Sequence, residues 1–473
     1  MKKTGLFKII MFILIGMTVA TWIFSASMYQ EGNLAELGML NVGFFDFFSL
    51  LFRSFSFTYF VQIFILLISI GALYGVLEKT GKYRAWIEKI VKNLKGRKLL
   101  FLILSSFVIA LLTSVFDYGI ILFIFFPLII SIVLAMGYDK VTACLTTFGA
   151  LLVGVIGSTT GYNTSGVVAE ILSVKVATAI YYKLALLGFS YAVLLFFLSK
   201  AKISSKVEDD QFAGEKISNK YSVASIIVVL SILFVFLVIG CTKWQKVFNV
   251  DAFSKLHETV TTYSPKLPYA HVTTDGIDSG KQEVAIFAKI LGQGNALGEW
   301  QYAEMAILCF FASLLLGWLY RIKNIFACMY EGAKKMLKPA LMVLFTYTVV
   351  YFAGNQMFYP TIAKLLLGIT NKFSVFFGSI TMFLGSFFHV DMLYVANYVV
   401  PQVAASGASN SLTVLLAQGI YGVTMFIAPT SYLLVLGLTY LEIPYKEWVK
   451  RTWKLCLALL VIVEIVLVLV RYL

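Results

Sequence analysis

Charge is the scarcest thing in this sequence. Only 13% of the 473 residues are Asp, Glu, Lys or Arg, against 60% hydrophobic. A soluble domain carries roughly a quarter charged residues, so a soluble globule is excluded. Cysteine is sparse too: Cys144, Cys241, Cys309, Cys328 and Cys456 show no CxxC spacing, which argues against a metal site and a disulfide framework. No P-loop, HExxH or strand-turn-helix GxSxG is present. Neither ATP-driven pumping nor soluble-enzyme chemistry is expected, and no cofactor is called for beyond coupling to Na⁺ or H⁺. Strand-length stretches of alternating polarity are missing as well. The apolar runs are about twenty residues long, which suits helices and excludes a β-barrel.

What remains is a run of hydrophobic spans. The expected fold class is an all-α polytopic membrane protein with about 10–11 transmembrane spans, since only helices satisfy their own backbone over such runs in lipid. Spans are expected at 7–28, 58–77, 99–117, 119–137, 178–198, 222–240, 302–320, 339–359 and 453–472, with broken regions at 141–175 and 361–441. Met1-Lys2-Lys3, an apolar run and Ser25-Ala26-Ser27 have the form of a signal peptide, but the run is long for one and favours an uncleaved first span. The net charge of +14 resides in short loops between apolar runs, the placement membrane insertion imposes, so nucleic acid is not the partner; the bilayer is.

Eight Lys and Arg fall in 78–98 and five in 321–338. Both loops, with 199–221 and 442–452, are expected on the cytoplasmic side of the cell membrane. The N-terminus then lies inside. Four units follow: 1–57, a first span and outer loop; 58–198, an N-terminal repeat; 199–221, a cytoplasmic linker; 222–473, a C-terminal repeat that includes the extracellular loop 241–300. Stretches 80–98 and 325–338 read equally as amphipathic helices on the inner surface, with Tyr83 and Trp86 at the interface, or as plain basic connectors.

The repeat is carried by landmarks. Each half has Ser, aromatics and an Asp in apolar surroundings (Asp117, Asp391), then a Pro at the same interval: 127 − 117 = 10 and 401 − 391 = 10. Each continues through Gly137 or Gly407 and Gly149 or Gly419, and ends in Thr-Ser, Thr164-Ser165 or Thr430-Ser431. Counting crossings makes the two units enter from opposite faces, so two inverted-topology repeats with broken helices or re-entrant hairpins are expected.

Gly157–Gly166 (GSTTGYNTSG) packs small, hydroxyl and amide groups into an apolar region. Such a run weakens a helix and fits an unwound break whose N–H groups and hydroxyls bind a carboxylate or a cation; the competing reading is a small-residue packing surface. Ser158, Thr159, Asn163, Thr164 and Ser165, with Thr430 and Ser431 in the second half, are therefore the candidate substrate-binding residues. Asp117 and Asp391 are the candidates for ion coupling or amine recognition, because a carboxylate inside a span faces a cavity or partner by default. The alternative for Asp117 is a solvated interfacial position. His389 is a candidate proton-relay partner or a satisfied core residue. Asn355, Gln356, Asn397, Asn410 and Gln418 are expected to bond between helices.

These same residues bring a family into view. IAPTSYLLVLGLTYLEIPYKEW (427–448) resembles the break-then-helix motif of the YfcC family of C4-dicarboxylate anaerobic carrier-like proteins. AMGYDKVTA (135–143), Gly157-Ser158-Thr159 and Leu297-Gly298-Glu299-Trp300 are similar to it as well. The resemblance runs in order over nearly the whole chain. It implies an ion-transporter-superfamily fold with re-entrant hairpins, and transport of four-carbon dicarboxylates or, in some relatives, basic amino acids. The chain departs from the pattern with Thr160-Gly161-Tyr162 in place of Asn-Pro, Ile120-Ile121 in place of an acidic pair, and Phe388-His389-Val390-Asp391 in place of a Ser/Gly-rich tip. Two added carboxylates favour a cationic group in the site. The expected function is thus a secondary active transporter, antiporter or ion-coupled symporter, of a small organic acid or amino acid. A basic amino acid such as arginine or ornithine stands slightly ahead of a C4-dicarboxylate, and a homodimer is compatible. An ion channel, a membrane enzyme using His389 and Asp391, and a non-transporting membrane protein are the rival classes.

Overall fold

The computed structural model describes residues 5–30, 33–40, 42–43, 45–203, 208–214, 221–273, 276–284, 286–291 and 294–472. The basic start Met1-Lys2-Lys3 and much of the linker 199–221 lie outside the described residues. Among those described, nine helices are long and apolar enough to cross a membrane, with three shorter apolar helices at Phe126–Ala135, Lys140–Ile156 and Val375–Phe388. The all-α expectation holds apart from two small antiparallel hairpins, Ala26–Gln30 with Asn33–Gly38 and Lys266–Thr273 with Gly276–Glu283.

At the centre Thr58–Lys79 lies along Ile325–Gln356. The contact is backbone on backbone: a Cβ on Gly332 would stand 2.1 Å from the Gly71 carbonyl and 2.6 Å from the Gly75 Cα. With no apolar solvent difference to drive helices together in lipid, such close approach of small residues is what holds them. The helix Ile325–Gln356 corrects one expectation. Residues 325–338 are its first turns rather than a separate surface segment, because Lys335 pairs with Glu78 at 2.5 Å and so carries charge alongside the core. Likewise 445–452 opens the helix Tyr445–Tyr472 instead of forming a loop. Lys82–Asn93 is an amphipathic helix, but Tyr83 is fully buried against Tyr74 instead of sitting at an interface.

Two hairpins follow the repeat landmarks. The first joins Lys98–Phe116 through Asp117 to a 3₁₀ turn Gly119–Ile124 and the Pro127-led helix Phe126–Ala135. The second joins Val375–Phe388 through Asp391 to Met392–Tyr398 and the Pro401-led Val400–Ala405. Each is followed by a helix that breaks. Lys140–Ile156 gives way at 157–161 before Tyr162–Ile171, and Asn410–Ile427 gives way at 428–431 before Tyr432–Tyr440.

The hairpins open at opposite ends of the molecule. The first opens where Lys98 Nζ donates to Met136 O at 2.6 Å, beside Asp139, which pairs with Arg451. The second opens at Phe373, over which Arg471 lies at 5.9 Å. Arg451 and Arg471 share the helix Tyr445–Tyr472. Twenty helical residues set these points about 30 Å apart.

At the Asp139 end the linker is tucked into the body. Asp209 pairs with Arg84 at 3.0 Å. Asp210 accepts from Tyr440 at 2.9 Å and Ser131 at 3.3 Å. Phe212 is fully buried, stacked on Tyr440 and tilted against Tyr74, and Lys335 donates to Gln211 O. One short segment thus ties the first hairpin to the second broken helix.

Candidate functional site

Asp117 caps Lys98–Phe116 in the left-handed region at φ 55°, which Asp tolerates better than most non-glycine residues. This turns its side chain out of the helix. The first break wraps that end: Thr159, Thr160 and Gly161 all direct their N–H groups at Ser114 O, at 2.9, 3.3 and 3.1 Å. Thr159 Oγ1 adds a fourth donor to the same carbonyl and Thr160 Oγ1 donates to Val115 O at 2.8 Å. Gly161 is required there, since a Cβ would come within 2.7 Å of Asp117 Cβ. The N–H groups expected to be free for a ligand are therefore taken up by the hairpin tip. Ser165 is also engaged: it donates to Ser158 O and to Gln418 Oε1 at 2.8 and 2.7 Å, while Gln418 Nε2 reaches Ile156 O at 3.1 Å. Gln418 is thus the interhelical amide expected of it, bridging the two broken helices.

The second break is tied in the same manner. Thr430 Oγ1 donates to Phe387 O at 2.8 Å and Ser431 caps Tyr432–Tyr440. The carbonyls freed ahead of Pro429 are occupied: Trp448 Nε1 donates to Phe426 O and Tyr445 to Ile427 O. A break in a buried helix stays stable only when its orphaned groups find partners in this way.

Between the tips lies a cavity of about 470 Å³. Asp117, Asn163, Thr164 and Asp391 line it, together with Tyr59, Tyr302, Tyr421 and Tyr432 among others. The two carboxylates differ in their partners. Asp391 Oδ2 accepts from Tyr59 at 3.0 Å and Tyr347 at 3.1 Å, and Oδ1 accepts from the Leu393 N–H at 3.0 Å. Asp117 Oδ2 is buried and has no hydrogen-bond partner among the described residues. Asn163 Nδ2 donates to the Asp117 carbonyl at 2.7 Å, fixing the tip from the cavity side. Asp117 is only 4% exposed, so the solvated interfacial placement does not hold.

Ser158, Thr159, Ser165, Thr430, Ser431 and His389 do not line the cavity. His389 is buried with Nδ1 3.1 Å from Gly385 O, its ring stacked on Tyr398 and its Nε2 without a partner among the described residues. Lys183 is buried on the far face of the first break, where its ammonium donates to Thr159 O at 3.3 Å and Val176 O at 2.6 Å. It carries a cation at the depth of the break without facing the cavity.

The tyrosines of the cavity were not marked by the sequence, where they merge with the chain's other aromatics. Their one signal is position: Tyr59 and Tyr302 stand at the first turns of spans, and Tyr432 directly follows Thr430-Ser431. At the cavity mouth Gly298 and Trp300 both donate to Gly240 O, which docks the Leu297–Trp300 motif on the end of Ala224–Cys241. No group of three or more His, Cys, Asp or Glu able to hold a metal is found among the described residues.

A structural likeness is found to the Alcanivorax borkumensis YdaH transporter, whose crystal structure was described as having an unusual topology. It covers 98% of this chain and 96% of that one at 14% identity, with a TM-score of 0.43. No curated protein sequence matches the chain. The sequence profile of the C4-dicarboxylate anaerobic carriers matches residues 4–472, nearly the full length, and with the membrane-spanning helices described above it follows that this chain belongs to the C4-dicarboxylate anaerobic carrier family of multi-pass membrane transporters.

Proposed function

We propose that the chain is a secondary active carrier that moves a small carboxylate-bearing metabolite by alternating access, and that its substrate carries an amine as well as a carboxylate: an amino acid, with the basic ones foremost. The observation that carries this reading is Asp117, a buried carboxylate that lines a cavity of about 470 Å³ and whose Oδ2 has no hydrogen-bond partner among the described residues. A buried charge is costly unless something pairs with it, so the cavity's natural occupant brings a cation to that atom. Thr164 and Asn163 flank the same position.

The family match favours a second reading, transport of a C4-dicarboxylate. In that case Asp117 carries a coupling proton or Na⁺, and the substrate meets it only when so neutralised. Both readings place the two hairpins as inverted repeats, supported by their opening at opposite ends of Tyr445–Tyr472. The basic helix Lys82–Asn93 and the tucked linker support a reading in which the Asp139 end lies in the cytoplasm of a cell-membrane protein with its N-terminus inside. The cavity mouth near Trp300 then faces outward.

Purified protein screened by thermal shift against arginine, ornithine, succinate and fumarate, with and without Na⁺, decides between the readings, because a ligand that binds the native form raises its melting point. A shift with an amino acid that disappears in Asp117→Asn supports the amine reading. A shift with succinate or fumarate alone supports the dicarboxylate reading. Counterflow in liposomes then separates a carrier from a channel: a channel conducts without counter-substrate.

A further inference from the structure

The cavity mouth holds a cation with no assigned duty. Lys243 follows the helix Ala224–Cys241, is half-buried, and lines both the central cavity and an adjoining outer vestibule of about 350 Å³. Its ammonium makes no hydrogen bond or ion pair among the described residues. Its neighbour Lys246 is committed: it donates to Tyr162 Oη at 2.5 Å and lies 3.6 Å from Glu170 Oε1. Glu299 also lines the vestibule and Glu304 stands nearby, yet neither comes within ion-pair distance of Lys243, and Glu304 is occupied by Gln301 N and Asn295 Nδ2.

Lys243 is held at a fixed station relative to Asp117. Tyr118 Oη and Thr242 Oγ1 share a hydrogen bond of 2.8 Å, and these are the residues next to Asp117 and Lys243 in the chain. The two charged side chains flank that bond and line one cavity, but they do not form an ion pair with each other. Two opposite, unpaired charges facing the same space define a receptor for a molecule that carries both signs. Burial also presses the Lys243 ammonium below its ordinary value, so an anion that pairs with it recovers part of that cost.

We propose that Lys243 is the carboxylate-binding residue of the transport site: it takes the substrate's carboxylate at the mouth while Asp117 takes the amine at depth. This rests on the carrier reading above and fixes the orientation of the substrate within it, carboxylate towards the vestibule. For a dicarboxylate, one carboxylate sits on Lys243 in the same way.

The test uses full-length protein in liposomes and detergent. Lys243→Gln should raise the KM for whichever of arginine or succinate is transported by about tenfold or more, the loss expected when a charged hydrogen bond is removed. Maximal rate should stay within about twofold. Lys243→Arg should restore most of the affinity. The diamine putrescine, which has no carboxylate, should show unchanged protection in thermal shift. An unchanged KM in Lys243→Gln overturns the proposal, and so does equal damage from Arg and Gln. Should the variants fail to fold, acylation of wild-type lysines followed by mass spectrometry decides the matter. Substrate, or acetate alone, should protect Lys243 and leave Lys246 reactive; equal protection of both, or of neither, overturns the assignment. If no substrate is transported the carrier reading falls, whereas acetate protection still decides Lys243.

Discussion

At the tip of the first hairpin Asp117 lines the cavity with an oxygen that has no partner among the described residues, while at the tip of the second Asp391 receives Tyr59, Tyr347 and the Leu393 N–H. Both stand ten residues before a Pro, both end a hairpin, and both breaks behind them tie a Thr hydroxyl to the preceding helix end, at Val115 O and at Phe387 O. The difference lies in who supplies the partners. Tyr59 and Tyr347 belong to the central pair Thr58–Lys79 and Ile325–Gln356, so Asp391 fastens its hairpin to the scaffold. The Asp117 carboxylate meets Thr164 of the break behind it instead of the scaffold, and its Oδ2 has no partner among the described residues. On the proposed reading, the two matching positions serve attachment at Asp391 and recognition at Asp117.

The sharpest way to break this comparison is to neutralise each carboxylate in turn. Asp117→Asn keeps the shape and should cut transport by about 100-fold or more while the melting temperature of the unliganded protein falls far less than in Asp391→Asn, since no scaffold tyrosine pairs with this carboxylate among the described residues. Asp391→Asn should do the reverse and destabilise by roughly 1.5–3 kcal/mol, the range for hydrogen bonds to a charged group. Combined with Tyr347→Phe, the two losses should be less than additive, as expected for residues in contact. Additive losses, or transport that survives Asp117→Asn, would contradict the division of labour.

A second effect concerns the tie between the halves at the linker end. Burial pushes the Asp210 carboxyl up to about 6, against the partial relief of hydrogen bonds from Tyr440, the Phe212 N–H and Ser131. An acid whose folded value is raised binds more protons folded than unfolded, so the stability it contributes is full at about pH 4, falls as pH rises through about 6, and is level beyond. Wild type should lose up to roughly 2 kcal/mol over that window relative to Asp210→Asn. Thermal melts of both proteins between pH 4.5 and 7.5 read the difference directly, and parallel curves would exclude it. Asp139 runs the other way: burial works against its ionised form, but hydrogen bonds from Thr142 and Arg451 outweigh it and hold the carboxyl below the ordinary range. It is charged throughout the window and adds no slope.

Within the first break the comparison sharpens to adjacent residues. Thr164 lines the cavity; Ser165 bonds Ser158 O and Gln418. Thr164→Ala should therefore raise KM several-fold at unchanged stability. Ser165→Ala should leave KM in place but cost about 1–2 kcal/mol, because Gln418 Oε1 is left buried without its donor. An exchange of these two outcomes would return the hydroxyl-binding role to Ser165.

Much of this architecture could be read from the chain, and the reasons it stops are specific. Apolar runs, the Gly-Ser-Thr run and Ala428-Pro429 located most spans and both breaks, because lipid imposes the same demand on every segment, but 119–137 read as a full span where the structure has a 3₁₀ turn and a ten-residue helix. The partners of the breaks were not legible: three N–H groups converging on Ser114 O are a product of conformation, and no residue type announces them. Nor were the donors to Asp391, which come from positions as far away as Tyr59. The start of Ile325–Gln356 looked like a basic loop because its lysines are charged; Lys335 is helical since Glu78 and Gln211 O meet it across the packing face. Gln418 was legible as an interhelical amide, but Asn355 and Asn397, read the same way, donate to Tyr351 O and Leu393 O in their own helices.

The smallest expected effect tests whether the two breaks are fastened equally. Thr160 Oγ1 to Val115 O and Thr430 Oγ1 to Phe387 O are both 2.8 Å, and both link a break to the hairpin end in front of it. Around Thr160, however, three backbone N–H groups already hold the break on Ser114 O, whereas at the second break the described bonds to the hairpin from Ala428–Ser431 reduce to Thr430. Replacing either Thr by Val removes the hydroxyl at near-constant volume and costs about 1 kcal/mol for one hydrogen bond. The redundancy of the first break should hold Thr160→Val to a few tenths, while Thr430→Val should show the full loss and speed amide exchange across 428–434, the region freed to open locally. Hydrogen exchange of the two variants side by side measures this. Equal protection in both would mean that the second break is held by Trp448 and Tyr445 on its far side, and that the two hairpins differ only at their carboxylates.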